Sequence, residues 1–344
     1  PLASNEGSCM IGESGAAVIV ELIESGLGDL VDVAAIQPIY LTQATQEVPL
    51  NGRSDVDHYM SAGYVSQDVN DKATSNTLSY AFDDFLLAKM SAYISDSKSA
   101  QEALARSKNY QNVWSPEMSL FCPKYANGTM ACPNSGDAPI AWGEYTEGDA
   151  FHWSWFVPHD PEGLIALYPS REAYLTALEA FFANHIAYDE KFGNAKPNNY
   201  YWAGNEHDFL APWMFNFAGA CTRSQYWGRK LLSMHFTNRP NGIPGNEDYG
   251  SMATWSLFAT LGLYPQAGTT RFLLSAPSVN KASIKLFHVK KVPTSTLEIV
   301  TYNNTVENTF VQKLLVNGKE HTAAWIDRAV LAAPGGCKLE FFMS

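Results

Sequence analysis

Three segments of the 344-residue chain combine carboxylates with aromatic residues and glycines, and they cover residues 145–160, 202–213 and 244–250. Hydrolysis of a glycosidic bond needs such a combination. One carboxylic acid protonates the leaving oxygen, and a second carboxylate acts as base or nucleophile. Aromatic rings stack on the apolar faces of sugars, while polar side chains bind the hydroxyl groups. The three segments are therefore candidate parts of a saccharide site.

Each segment suits a different task. Glu147 is followed by a phenylalanine and two tryptophans, and burial beside such residues keeps a carboxylic acid protonated, as a general acid requires. Asp248 lies in a loop rich in glycine and asparagine that leads into a predicted helix. A helix start favours the ionised carboxylate that a general base requires. Asn205 and Glu206 offer the oxygen ligands that Ca²⁺ prefers, so they are the predicted metal ligands.

The same segments supply candidate sugar-binding residues. Trp153 offers a ring for stacking, and His159, Asp160, Asn246 and Glu247 offer hydrogen-bonding groups. We predict that these five side chains bind the substrate.

Structural roles remain open for several of these residues. Asp248 would equally serve as the cap of a helix that begins near residue 251, and His159 as an ordinary hydrogen-bonded histidine. Asp83 and Asp84 lie between two phenylalanines on a predicted helix. For this pair, a buried hydrogen-bonding role and a ligand contact stay as alternatives.

Composition excludes several classes of protein. The chain has 23 Lys and Arg against 35 Asp and Glu, giving a net charge of −12, whereas nucleic-acid binding needs a basic surface. It has no apolar run near the roughly 18 residues of a membrane span and no polybasic segment for anionic lipid. Motifs for nucleotide binding, zinc proteases and serine hydrolases are absent. We therefore expect neither a nucleic-acid nor a membrane partner.

Cysteines and glycosylation sequons indicate the compartment. Cys122 and Cys132 flank a loop that contains the sequon Asn127-Gly128-Thr129, and a second sequon begins at Asn303. A sequon within such a loop is typical of a secreted, disulfide-bonded glycoprotein. The alternative is two free cysteines and a chance sequon. We expect a secreted or extracellular protein.

Hydrophobic periodicity predicts a largely helical first part. The predicted helices cover residues 14–27, 77–95, 170–186, 222–235 and 251–262.

Beyond residue 268 the pattern changes to short alternating or β-branched runs, and Asn317-Gly318 predicts a hairpin turn. The predicted class is α+β, with a helical domain at 1–267 and a β-strand segment at 268–344. The strands would form either a small sheet of their own or part of a larger sandwich.

Long blocks of the sequence resemble glycoside hydrolase family 92. These blocks are NTLSYAFDDFLLAKM, RSKNYQNVWSPEMSLFCPK, YTEGDAFHWSWFVPHDPEGLI, GNEHDFLAPWMFNFAG and GIPGNEDYGSMATWSLFATLGLYP, in the family's order. The tail, with APSVNKASIKL, NNTVENTFVQKLLVNGKEH and GGCKLEFFM, is similar to the family's C-terminal strands.

The resemblance implies an exo-acting, inverting α-mannosidase that requires calcium. It implies a catalytic domain of the (α/α)6-barrel type, Glu147 as general acid, Asp248 as general base, and Asn205 and Glu206 at the calcium site. In the implied mechanism, calcium contacts the 2- and 3-hydroxyls of terminal mannose and helps to distort the ring. The expected substrate is α-1,2-linked mannose in an oligosaccharide or glycoprotein glycan, as in N-glycan processing.

The chain departs from the family pattern at several positions. The family often has Asn at Asp149, Gln at His152, Pro at His207 and a polar residue near Phe209, and some members have Asp at Asn246. These differences bear on calcium affinity and leaving-group preference more than on the reaction type.

The resemblance begins inside the helical barrel. We therefore expect a fragment, or one part of a longer polypeptide that includes an N-terminal β-sandwich. Two other functions stay open: another glycosidase or a polysaccharide lyase on a similar barrel, and a non-catalytic carbohydrate-binding protein.

Overall fold

The computed structural model describes residues 11–48, 52–132, 144–192, 199–286 and 295–344. Helices precede most strands along the chain. The helices are α1 (Ser14–Glu24), α2 (Val33–Thr45), α3 (Val56–Ala62), α4 (Ala73–Tyr93), α5 (Ser97–Arg106), α6 (Ala150–Trp153), α7 (Pro161–Leu167), α8 (Arg171–Phe192), α9 (Met214–Phe217), α10 (Cys221–His235), α11 (Ser251–Leu261) and α12 (Arg328–Leu331).

The strands are short at first and longer near the C-terminus. They are β1 (Trp114–Ser115), β2 (Leu120–Phe121), β3 (Leu263–Pro265), β4 (Arg271–Leu274), β5 (Lys281–Leu286), β6 (Ser295–Tyr302), β7 (Val311–Val316), β8 (Lys319–Glu320), β9 (Trp325–Asp327) and β10 (Cys337–Met343). The predicted α+β class is confirmed, and the helical part is consistent with the (α/α)6-barrel type. In the described part of the chain, no helix is both long and apolar enough to cross a bilayer.

Contacts divide the chain into two compact units. The first unit contains residues 1–174 and 183–201, and the second contains residues 175–182 and 202–344. The second unit therefore includes helices α9 to α12 together with strands β3 to β10. The predicted boundary after residue 267, which follows secondary structure, stays a prediction.

Helix α4 forms the centre of the first unit. It is buried along most of its length and packs against α1, α2 and α5. Val20 of α1 and Val33 of α2 belong to the same buried core cluster as Leu86 and Met90 of α4. Because α4 is buried on more than one face, its apolar residues are distributed around the helix and are not confined to one stripe.

The two adjacent acids of α4 belong to a buried network of charges. Asp84 accepts hydrogen bonds from Arg53 and Arg106, each at 3.2 Å. Asp83 accepts from the backbone N–H of Glu13 at 2.9 Å. Arg53 also pairs with the Glu13 carboxylate at 3.1 Å. Of the two alternatives for Asp83 and Asp84, the structure shows the buried hydrogen-bonding role.

The second unit carries the main sheets. A five-stranded sheet has the order β5-β6-β10-β7-β8, in which β10 is parallel to β6 and antiparallel to β7, and a three-stranded sheet has the order β3-β4-β9. Strands β6 and β10 alternate buried and half-buried residues, and their buried side chains form the core of this region. Asn317 and Gly318 join β7 to β8 with φ angles of 51° and 78°. Two positive φ angles are what a type I′ turn requires, so the predicted hairpin is confirmed.

A disulfide joins Cys122 to Cys132. It closes the loop that carries Asn127, whose side chain is exposed to solvent. The pairing that the sequence left open is therefore present in the structure.

Candidate functional site

Hydrogen bonds on both sides fix the backbone around Glu147 in the first unit. The Tyr145 hydroxyl donates to a carbonyl of β2 at 2.8 Å. The Thr146 N–H donates to the Ser75 hydroxyl on α4 at 2.9 Å, and its carbonyl accepts from the Trp153 indole N–H at 2.8 Å. These buried neighbours fix the backbone that leads into Glu147.

Glu147 has a left-handed backbone conformation, with φ 49°. Eight non-glycine residues in the described ranges have a positive φ, and glutamate is not among the residue types that adopt it readily. The conformation costs about 1–2 kcal/mol for a residue with a Cβ. Such strain persists where surrounding structure enforces it, and it clusters at functional sites.

Asp149 and His152 form a reciprocal cap at the start of α6. The Asp149 carboxylate accepts from the backbone N–H groups of Phe151 at 2.8 Å and His152 at 3.2 Å. In return, His152 Nδ1 accepts from the Asp149 N–H at 3.1 Å. The N-cap residue Asp149 lies two residues after Glu147. The capping box therefore fixes the backbone on the C-terminal side of Glu147.

His159 is held by apolar and polar contacts within the first unit. Its ring lies 5.9 Å from that of Phe82 and 5.6 Å from that of Phe85. Its Nε2 is 2.8 Å from the Ser107 carbonyl, so Nε2 carries the proton and donates. Burial lowers the pKa of His159 to about 4, and the imidazole is neutral at physiological pH. The alternative of an ordinary hydrogen-bonded histidine agrees with these contacts.

The other predicted sugar ligands of this segment also have partners within the protein. Asp160 accepts a hydrogen bond from the Tyr110 hydroxyl and pairs with Lys108 at 2.7 Å. Trp153 is 4% exposed, and its ring packs against Phe156. Binding of sugar by Trp153, His159 and Asp160 stays a prediction, because the contacts observed here are internal ones.

In the second unit, the predicted metal loop and the predicted base loop touch. Gly204 and Gly245 approach so closely that a Cβ on either would meet the backbone of the other at 3.0 Å or less. Gly245 has φ 63°, which only glycine adopts without cost. The structure therefore brings the segments containing Asn205 and Asp248 together.

The metal loop presents oxygen atoms of the kind that calcium binds. The buried Asn205 side-chain oxygen accepts from the Glu206 N–H at 3.1 Å and caps a short 3-10 turn over Glu206–Asp208. The buried Asp208 carboxylate accepts from the Trp202 N–H at 2.9 Å and closes the loop. The amide oxygen of Asn205 and the carboxylate oxygens of Glu206 are donor types that Ca²⁺ binds. The residues present fit the implied ion.

The base loop has three consecutive left-handed residues. Asp248, Tyr249 and Gly250 have φ angles of 46°, 57° and 95°. Asp248 is exposed, and its carboxylate makes no hydrogen bond to the described part of the chain. Its carbonyl accepts from the Ser251 hydroxyl at 2.7 Å. A carboxylate that is accessible and held by strained backbone suits a general base.

Asp248 does not cap α11. The N-cap position is Gly250, which has no side chain, and the Glu247 carboxylate accepts from the Ala253 N–H at 3.4 Å. The alternative of Asp248 as a helix cap is therefore wrong. Asn246 and Glu247 are both exposed, and their predicted binding of sugar stays a prediction.

Comparison with known families identifies the chain. The model of the glycosyl hydrolase family 92 catalytic domain matches residues 1–344. The chain belongs to this family. The family expectation is thereby confirmed over the whole length of the sequence.

Solved structures of family members have the same fold. A family GH92 α-mannosidase from Bacteroides thetaiotaomicron is 25% identical, with a TM-score of 0.84 over 99% of this chain and 43% of its own. A family GH92 inverting mannosidase from the same species is 24% identical, with a TM-score of 0.83 over 98% of this chain and 46% of its own. The second likeness, at lower identity, concerns the fold alone.

A curated relative from the fungus Arthroderma benhamiae is described as an uncharacterized secreted glycosidase. It is 25% identical over 353 residues, which cover 93% of this chain and 44% of the relative. The chain thus spans less than half the length of the relatives that it matches.

The structure explains two of the departures from the family pattern. Asp149 and His152, which replace the frequent Asn and Gln, contact each other in the capping box of α6. Asn and Gln side chains would supply the same two acceptors, so the two changes keep the local structure.

Three features of these loops could not be predicted from the sequence. Asp208 closes the metal loop, Gly204 and Gly245 let two loops meet, and Tyr249 lies exposed beside Asp248. The pattern contains these residues, but only the tertiary contacts and backbone angles distinguish them from other loop residues.

Proposed function

We propose that this chain carries the catalytic residues of a calcium-dependent, inverting exo-α-mannosidase. The observation that carries the proposal is that Glu147 and Asp248 both have left-handed backbones. For Asp248, a capping role does not explain this conformation, because its carboxylate makes no hydrogen bond to the start of α11. Likeness to α-mannosidases supports the substrate class.

The proposed chemistry divides between the two acids. Glu147 donates its proton to the departing glycosidic oxygen as the bond from that oxygen to C1 breaks. Asp248 accepts a proton from a water molecule whose oxygen attacks C1 on the opposite face. The exposed carboxylate of Asp248 supports this second role, because a base must be reachable by water.

Asn205 and Glu206 are the proposed calcium ligands in this chain. A bound calcium ion would supply positive charge for binding the hydroxyl groups of the terminal mannose. Asp208 holds the loop closed through the Trp202 N–H, so it fixes the position of the two proposed ligands. The contact between Gly204 and Gly245 supports joint action of this loop with the base loop.

The proposed substrate is terminal α-1,2-linked mannose on glycoprotein glycans, as in N-glycan processing. We also infer a secreted glycoprotein. The Cys122–Cys132 disulfide favours an oxidising compartment, and Asn127 of the enclosed sequon is exposed. The description of the fungal relative as secreted agrees with this inference.

Mannose release from α-1,2-mannobiose tests the proposal, with calcium, with excess EDTA, and after calcium is restored. We expect release that EDTA abolishes and calcium restores. The Glu206→Gln variant should need a higher calcium concentration for half-maximal activity, because it loses a charged ligand. Glu320→Gln, at an exposed position of β8, is the matched control and should behave as the wild type.

Each result that contradicts these expectations overturns a different part of the proposed function. Release that persists in EDTA would exclude calcium dependence. Binding of mannobiose without release in any condition would indicate a carbohydrate-binding protein instead of an enzyme. An equal calcium requirement in both variants would remove Glu206 from the metal site.

A further inference from the structure

The loop between β6 and β7 carries the sequon Asn303-Asn304-Thr305, and an arginine of α10 holds it in place. Arg229 Nη1 donates to the Asn304 side-chain oxygen at 2.7 Å, and Nη2 donates to the Thr305 carbonyl at 3.0 Å. The Asn308 side chain donates to the Asn303 carbonyl at 2.9 Å and closes the loop. All of these residues belong to the second unit. The sequon therefore lies in a defined loop at the end of the five-stranded sheet.

The two adjacent asparagines of this loop have different environments. Asn304 uses both ends of its side-chain amide, because the oxygen accepts from Arg229 and the nitrogen donates to the Asn280 side chain at 3.1 Å. Asn303 is exposed, and its side-chain amide makes no hydrogen bond to a residue that the structure describes. Its contact with Asn308 is made by the backbone carbonyl. Only at Asn303 is the amide nitrogen accessible without breaking a contact of the fold.

The backbone and the third residue of the sequon are also compatible with a modified Asn303. Asn303 has a left-handed backbone with φ 56°, and asparagine is among the few residues with a Cβ that adopt this region readily. Thr305 supplies the hydroxyl that a sequon requires at its third position. This residue is exposed, and its hydroxyl accepts from the Asn308 N–H at 3.0 Å. An oligosaccharide on Asn303 would thus displace no packed side chain.

Three large apolar side chains lie exposed close to this sequon in the sequence. Val306 is 86% exposed, and Tyr302 and Phe310 are 38% and 37% exposed. Apolar surface that is left in water favours association between molecules, whereas an N-linked glycan is bulky and solubilising. A glycan in this loop would cover surface that the fold itself leaves exposed.

We propose that Asn303 is an N-glycosylation site, separate from the sequon in the disulfide-closed loop. This inference rests on the proposed secretion of the chain. The co-substrate is an oligosaccharide linked through diphosphate to a lipid. The Asn303 side-chain nitrogen forms a bond to C1 of the first N-acetylglucosamine as the bond from C1 to the diphosphate oxygen breaks. The lipid diphosphate departs, and the nitrogen releases one proton to the solvent.

Peptide mapping by mass spectrometry tests the site in the full 344-residue chain secreted by a eukaryotic host. Peptide-N-glycosidase in heavy-oxygen water converts each glycosylated asparagine into an aspartate that carries the heavy isotope. We expect this label at Asn303 as well as at Asn127. The sugar attached to the protein is N-acetylglucosamine, which an α-mannosidase leaves in place, so the label does not depend on the proposed activity.

Four variants separate the effect of the sequon from that of the loop. Thr305→Ala should abolish the label at Asn303, whereas Thr305→Ser keeps a hydroxyl and should retain it. Asn303→Gly suits the left-handed backbone, so it should lose the mass of one glycan while the protein still folds. Asn304→Gln is the matched control. It changes the adjacent asparagine without breaking the sequon and should keep the label at Asn303.

The outcomes distinguish this site from the rest of the proposal. A label at Asn127 with an unmodified Asn303 would overturn the inference and leave the proposed glycoprotein standing. Absence of the label from both asparagines would overturn both statements. A label at Asn303 that persists in Thr305→Ala would show that the reaction does not use the sequon, and the assignment would be wrong. A labelled Asn303 in a protein that releases no mannose would support the site while the proposed mannosidase activity fails.

Discussion

Glu147 and Glu144 lie three residues apart and differ in their surroundings. Glu144 is exposed at the edge of the described segment, whereas Glu147 is half-buried in a backbone fixed by Thr146 and Asp149. A general acid must hold its proton at one defined point. A fixed backbone, and not carboxylate chemistry alone, therefore distinguishes Glu147 from Glu144.

Glu147→Gln should lower kcat/KM for α-1,2-mannobiose by about 10²- to 10⁴-fold, the usual contribution of general acid catalysis. A mannoside with a dinitrophenol leaving group should be affected much less, because that group departs without protonation. Initial rates on the two substrates give the measurement. Glu144→Gln serves as the control and should match the wild type on both. Equal turnover of mannobiose by Glu147→Gln and the wild type would remove Glu147 from the mechanism.

Residue types and neighbours lead to the prediction that Glu147 and Asp248 are the catalytic pair, because the chemistry requires carboxylates in particular settings, and this stays a prediction. They were not enough to predict the environment of Trp153 or Asp160. Sequence shows that these residues offer a ring and a carboxylate, but only the folded chain shows that their polar atoms contact Thr146 and Lys108.

Among the elements, α4 combines a buried position with a pair of acids. Burial, with Glu13 and Asp84 nearby, raises the pKa of Asp83 from 3.8 to about 8, although the charge of Arg53 opposes the shift. Folded Asp83 therefore keeps a proton that the unfolded chain releases above about pH 4. The stability that this group contributes is present at low pH and is lost as the pH rises from about 4 to 8.

Asp83→Asn should remove this dependence, because its amide oxygen still accepts from the Glu13 N–H and cannot ionise. We expect the variant to equal the wild type in free energy of unfolding near pH 4.5 and to exceed it near pH 8. Urea unfolding at both pH values measures the difference. Asp57→Asn, at an exposed position on α3, should show no such gain. A variant less stable than the wild type at pH 8 would contradict the assignment.

Local sequence patterns predict some helices and turns of this fold and miss others. Five long helices and the Asn317-Gly318 hairpin follow from periodicity and turn chemistry, which are local properties. Helix α2 was not predicted. It contains Pro38 in its interior, where proline removes a hydrogen bond and argues against a helix. Packing of Val33 and Ala44 in the core of the first unit offsets that cost.

At the scale of the whole molecule, contacts assign the middle of one helix to the second unit. Residues 175–182 of α8 belong to the second unit, while both ends belong to the first. The Trp227 indole donates to Glu179 at 3.2 Å and stacks on Phe182, with ring centroids 4.9 Å apart. The sequence predicts a single boundary, after residue 267, because the residue pattern changes there. The long-range contacts that define the two units leave no such local pattern.

The anomeric configuration of the released mannose depends on where Glu147 and Asp248 lie relative to the substrate. If Glu147 acts as acid and Asp248 activates water on the opposite face, the first-formed product is β-mannose. Proton NMR during the first minutes of hydrolysis should show the β-anomeric signal before mutarotation. Asp248→Asn should abolish the signal, since no other base is proposed. In a crystal structure with a substrate analogue, the two carboxyl groups should lie about 6.5–9.5 Å apart. Initial α-mannose, or a separation of about 5 Å, would instead require a covalent intermediate on Asp248, and the role of base assigned to that residue would be wrong.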